Sequence, residues 1–76
     1  VKIELHGHTD GRGVHADNVK LSQHRVNKVK AYLVSKGIDG RRISGKGFGG
    51  SKPIASNETE ESRRMNRRVE FVIKKF

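Results

Sequence analysis

The chain has 76 residues, 17 Lys and Arg against 8 Asp and Glu, a net charge of +9 and no cysteine. A chain this short builds one small domain, and 32% hydrophobic with 5% aromatic content gives it a thin core and a modest stability margin. Disulfides are excluded, and no apolar run approaches the roughly 20 residues of a membrane-spanning helix.

Residues 1–6 alternate apolar and polar, which predicts a strand with Val1, Ile3 and Leu5 toward the core. Gly7, Asp10, Gly11 and Gly13 mark a loop over 7–13. Asp17 and Asn18 offer N-cap chemistry for a helix running to about residue 36, where Gly37 supplies a left-handed C-cap. Lys28, Lys30 and Lys36 suit the negative end of its dipole. At ~100° per residue, Leu21, Val26, Val29, Tyr32 and Leu33 share one broad face, and Arg25 falls within that apolar arc.

After a short connection, residues 41–48 read as a glycine-loosened second strand, and 49–53 turn. Ser56 and Asn57 followed by Glu60 resemble a capping box, opening a short helix through about residue 65. Residues 67–76 alternate again, with Val69, Phe71 and Ile73 on one side. The order is β-α-β-α-β, an α+β fold with a mixed β-sheet and helices packed on one face. The strand-helix-strand unit predicts a right-handed parallel crossover. If the last strand pairs antiparallel with the first, Arg67 lies near the loop of Thr9 and Asp10.

Two charged residues define the candidate site. A guanidinium on an apolar helix face is costly unless paired, so Arg25 pairs internally with Asp10 or Glu70, snorkels outward, or presents a planar fork to a ligand carboxylate. Asp10, in a glycine-rich loop, is a turn former or takes a ligand ammonium. Loop amides, including those of Thr9 and Asp10, could hold a carboxylate as a nest does. Acid and base together would select a zwitterionic head group.

Other motifs carry less. His6, His8 and Asp10, with His15 further on, have the look of a metallohydrolase cluster, but Gly11 stands where the next histidine belongs, and no metal or other cofactor is expected. Residues 40–46 match the first part of a phosphate loop, but Gly47 replaces the Ser or Thr that should follow. No nucleophile is matched to a base and an orienting group, so the chain does not read as an enzyme. The charge and the cluster of Arg63, Arg64, Arg67 and Arg68 support the alternative of a basic nucleic-acid-binding module. Against it, Tyr32, Phe48, Phe71 and Phe76 are scattered, without the aromatic-basic interleaving of single-strand binders.

Taken together, Ile3-x-x-x-Gly7-His8-Thr9-Asp10, Gly13, Asn18, Leu21-Ser22-x-x-Arg25, Val29, Tyr32-Leu33, Gly37-Ile38, Arg42, Gly47-x-Gly49, Pro53, Asn57-x-Thr59 and Asn66-Arg67-Arg68-Val69-Glu70 resemble an OmpA-like C-terminal domain, the family of OmpA, Pal and MotB. The resemblance spans essentially the whole chain. It implies noncovalent binding of peptidoglycan through the diaminopimelate of its stem peptide, with Asp10 on the ammonium and Arg25 on a carboxylate. It also implies that Thr9, Asn18, Leu21 and Arg67 line the same pocket, and that the protein is a cell wall anchor in the periplasm, associated with the outer membrane. Nucleic acid is then not an expected partner. Val26 and Ser62 depart from the family's usual Ala and Gly. Residues 1–76 are expected to form one domain that lacks the family's first strand and helix, a truncated piece of a longer protein. Because an open sheet edge invites self-pairing, a homo-oligomer is expected.

Overall fold

Alternating side chains put Ile3, Leu5 and Gly7 on one face of β1 (Lys2–Gly7), and that face determines how the rest of the chain packs. The computed structural model describes residues 1–74. Strand β1 lies at the centre of a three-stranded sheet, parallel to β2 (Ile43–Gly47) and antiparallel to β3 (Val69–Lys74). Leu5 stands between Gly45 on one neighbour and Phe71 on the other. The mixed sheet and its strand order are those expected from the sequence. A single 3-10 turn, Gly40–Arg42, occupies the start of the predicted second strand, and the Asp39 carboxylate accepts from the Arg41 amide there. Residues 75 and 76, with the predicted end of the last strand, lie outside the described residues.

Helix α1 (His15–Ser35) crosses over β2 and β1 and barely reaches β3. Leu5, Val26 and Ile43 are buried between the layers, with Ile3, Val29, Leu33, Ile38 and Val69 packed around them. The sheet offers α1 a glycine floor. A Cβ on Gly7 would lie 2.5 Å from the Ser22 carbonyl, and one on Gly47 would lie 2.5 Å from the Gln23 amide nitrogen. So close an approach draws the small side chain of Ser22 under the helix, where it is fully buried. The predicted apolar arc is therefore rotated. Val26, Val29 and Leu33 face the core, whereas Leu21 and Tyr32 are exposed.

The helix begins two residues before Asp17, with Val14 at the N-cap position and no side-chain cap. Asn18 turns back instead, its Nδ2 donating to the Arg12 carbonyl at 3.0 Å. The C-terminus is as expected: Gly37 takes φ +98°, its amide donates to the Val34 carbonyl, and the Ile38 amide donates to Leu33. That pair of bonds is the Schellman arrangement. The last turn holds no basic residue, and Lys36 occupies the C-cap position.

Helix α2 (Glu60–Asn66) is capped by Thr59, whose hydroxyl accepts from the Ser62 amide at 3.1 Å, and not by Ser56 or Asn57. Ser56 makes only a local turn with the Glu58 amide. On β3 the predicted parity holds, since Phe71 pairs with Leu5 and Ile73 with Ile3. Their burial does not, because α1 lies over the other strands; Phe71 and Ile73 are 52% and 55% exposed.

Candidate functional site

Thr9 and Asp10 follow β1 into a loop stapled to the segment after β2. The Phe48 amide donates to the Gly7 carbonyl, and the Thr9 amide donates to the Gly49 carbonyl, both at 2.9 Å. Within the loop, the Gly11 amide donates to Thr9 Oγ1 and the Arg12 amide donates to Asp10 Oδ1. The Thr9 amide is thus already engaged, which corrects the expectation that it is free for a ligand. Gly11, at φ +81°, makes the reversal and sits against Gly50.

The loop leaves the Asp10 carboxylate nearly buried, at 8% exposure, between two guanidinium groups. Arg12 Nη2 donates to Oδ2 at 3.2 Å, and Arg67 Nη1 donates to the same oxygen at 3.3 Å. Burial by itself would raise the Asp10 pKa. The Arg12 hydrogen bonds and the charges of Arg12 and Arg67 outweigh it and hold the carboxyl below its usual range. Arg67 is placed as the antiparallel pairing predicts, and its other terminal nitrogen donates to Glu60 Oε1.

Arg25 does not pair with Asp10 or with Glu70. Its Nη1 donates to the His8 backbone carbonyl at 3.4 Å, two residues before Asp10. The expectation that Asp10 partly satisfies Arg25 in the free chain is corrected; the acid's partners are Arg12 and Arg67. Carboxylate and helical guanidinium nevertheless converge on one short backbone stretch. Asn18 ties the far end of the loop, and Leu21 is exposed one turn before Arg25.

The sequence model of the OmpA family matches residues 1–67. The chain belongs to the OmpA family. It is 58% identical over 67 residues to outer membrane protein A of Bordetella avium, covering 88% of this chain and 34% of that protein. It is 43% identical over 72 residues to the peptidoglycan-binding protein ArfA of Mycobacterium tuberculosis, covering 95% of this chain and 22% of that one. The crystal structure of the peptidoglycan-associated lipoprotein from Burkholderia pseudomallei superposes with a TM-score of 0.89 at 32% identity, covering 93% of this chain and 60% of that one. The chain therefore spans about a third or less of these two curated relatives' length.

Three supports of this candidate site carry no signal of their role in the sequence. Ser22 stood within the quoted motif without a role. Its buried hydroxyl accepts from the Gly49 amide at 3.0 Å and donates to the Val19 carbonyl, so it holds the segment that in turn holds Thr9. Asn66 is fully buried; its Oδ1 accepts from the Ile54 and Ala55 amides, and its Nδ2 donates to the Ala55 carbonyl and Asn57 Oδ1. A polar side chain this saturated, at the end of α2, fixes where Arg67 emerges. Arg12 carries no periodic signal at all; only the folded loop shows that it reaches Asp10.

His6 and His8 form a separate group on the face of the sheet opposite α1, whereas His15 and His24 lie on α1 itself. His8 is 1% exposed, stacks on Phe48 at 5.5 Å between centroids, and lies 3.3 Å from Glu70 Oε1. Burial pushes its pKa down, Arg68 adds to that, and Glu70 opposes it. Neither His8 ring nitrogen is hydrogen-bonded to loop backbone, and Nε2 faces the Glu70 carboxylate. His6 pairs with Glu4 and meets Phe48 edge-on. Among the described residues no three His, Asp or Glu side chains converge as a metal site requires.

Proposed function

We propose that this domain binds peptidoglycan noncovalently through diaminopimelate and so anchors an envelope protein to the wall. One observation carries the reading: in an OmpA-family chain, the Asp10 carboxylate and the Arg25 guanidinium converge on the same loop backbone. The names of the Mycobacterium and Burkholderia relatives, peptidoglycan-binding and peptidoglycan-associated, support it. Diaminopimelate ends in an ammonium and a carboxylate on one carbon. Asp10 takes the ammonium, and Arg25 takes the carboxylate through two nitrogens of its fork. Thr9, Asn18, Leu21 and Arg67 frame the guest. The chemistry is ionic capture, with no bond made or broken, and the domain works in the periplasm beside an outer membrane, a reading that the name of the Bordetella relative, outer membrane protein A, supports.

The nucleic-acid alternative gains no observation. Arg63 bonds Glu60 and the Asn57 carbonyl, Arg67 bonds Asp10 and Glu60, and Arg68 bonds Glu70 and the carbonyls of Lys52 and Asn66. Those arginines are turned inward to acids and carbonyls, not displayed to phosphates. Co-sedimentation with purified walls tests the proposal. Walls with diaminopimelate should retain the protein at least about tenfold better than walls with lysine at that position, since lysine lacks the second carboxylate and a lost charged hydrogen bond costs about 1.5–3 kcal/mol. Equal retention overturns it.

Self-association belongs to the same proposal. Strand β3 is a sheet edge among the described residues. The His8 amide donates to the Arg68 carbonyl, so the backbone groups of even-numbered β3 residues face β1 and those of Phe71 and Ile73 face outward. Paired with a second copy about Val72, the strand is self-complementary: Glu70 meets Lys74 and Phe71 meets Ile73. Light scattering at low micromolar concentration should show association that Phe71→Lys reduces. A stable wild-type monomer there refutes it.

A further inference from the structure

The two cations on Asp10 are not equivalent. Arg67 is held at both ends of its guanidinium, by Asp10 and by Glu60, and its side chain is 28% exposed. Arg12 is 58% exposed, and no other acid among the described residues pairs with it. Its backbone amide holds Oδ1, whereas its side chain competes for Oδ2, the oxygen that Arg67 also occupies. An exposed side chain paired at one point is readily displaced, whereas one fixed by two acids is not. The loop's shape does not depend on the Arg12 side chain. It rests on the Arg12 amide, on Thr9 Oγ1, and on the Asn18 bond to the Arg12 carbonyl.

We propose that the Arg12 side chain is a built-in, displaceable counter-ion that occupies the ammonium position on Asp10 and leaves when a ligand ammonium enters. This rests on the reading that Asp10 receives an ammonium. In the free chain Arg12 gives a nearly buried carboxylate a second cation beside Arg67, which lowers the cost of keeping it charged there. The same contact works against binding, because each guest must first replace it. Arg12 thereby sets affinity without touching the guest, and Arg67 remains as the permanent partner that fixes the carboxylate's orientation.

The test compares the full chain with Arg12→Ala. The substitution keeps the backbone amide bond to Oδ1 and removes only the competitor. A soluble muropeptide bearing diaminopimelate should bind Arg12→Ala about two- to fivefold tighter, the range set by one exposed ion pair. In the same samples without ligand, the Asp10 carboxyl, followed by carbon-detected NMR, should titrate at higher pH in the variant. Equal or weaker muropeptide binding by Arg12→Ala overturns the proposal, weaker binding meaning that Arg12 touches the guest. If neither protein binds the muropeptide, the functional reading falls, and the Asp10 titration alone decides: an unchanged curve shows that Arg12 does not hold the acid.

Discussion

Arg25→Ala should abolish co-sedimentation with diaminopimelate walls, while Lys28→Ala leaves it unchanged. Both residues lie on α1, but Arg25 is half-buried and reaches the His8 carbonyl, whereas Lys28 is exposed. Removing one partner of a desolvated charged pair costs about 2–5 kcal/mol, roughly 30-fold or more in affinity. Arg25→Lys should recover little, because an ammonium cannot offer two parallel donors to a carboxylate. The fold should survive Arg25→Ala, since a single long bond of 3.4 Å to one carbonyl contributes little. Thermal melting of the three proteins checks that loss of binding is not loss of structure. Equal retention of the Arg25 and Lys28 variants would sink the assignment of Arg25.

Gly45→Ala should destabilise the domain strongly, and Val26→Ala should relieve much of that loss. A Cβ on Gly45 would collide with Val26 Cγ1, and Val26 is stiff at χ1 and buried at 1% exposure. Overpacking of this kind costs about 1–3 kcal/mol, or more where nothing can move. In a domain of this size, each kcal/mol lowers Tm by about 4–8 °C. Val26→Ala alone also loses stability, through buried methyl groups. In the double variant the new methyl occupies the space Val26 vacates, so the two losses should fall short of their sum by at least about 1 kcal/mol. Gly47→Ala supplies the contrast. Its Cβ would meet the Gln23 nitrogen at 2.5 Å and the Val19 carbonyl at 2.7 Å, both backbone, so Val26→Ala should not rescue it. Additive losses in the Gly45 pair would show that the methyl groups do not share one space. The glycine floor also makes room for Val26: Gly7 and Gly45 leave space for its two methyl groups.

Periodicity made most of the architecture legible. The alternation in residues 1–6 and near the C-terminus, with a 3.6-residue pattern between, gave the strands, the long helix and their order. Gly37 marked the helix end because only a residue without Cβ takes that φ cheaply. The candidate site was half legible. Asp10 and Arg25 stood out because each breaks a local pattern, an acid in a glycine-rich loop and a cation in an apolar arc. Their partners were not legible. Arg12 is an unremarkable loop residue in sequence, and Ser22 looks like any helical serine. Asn66 sits at the end of a short helix with nothing nearby to mark it as buried. Asn66 and Ser22 owe their roles to backbone brought from 11 residues away at Ala55 and from 27 at Gly49, whereas Arg12 reaches Asp10, two residues before it, only through the turn the loop makes.

The order of strands and helices, the charges, and the presence of an acid in the loop and a cation on the helix follow from the chain itself, because they depend on neighbours in sequence. Which helix face is buried, and that Arg67 reaches Asp10, the tertiary structure alone decides. Both depend on how closely α1 approaches the glycines of β1 and β2, and on the antiparallel strand that returns Arg67 to the loop. Those distances are set by packing between segments far apart along the chain, where no local pattern reaches.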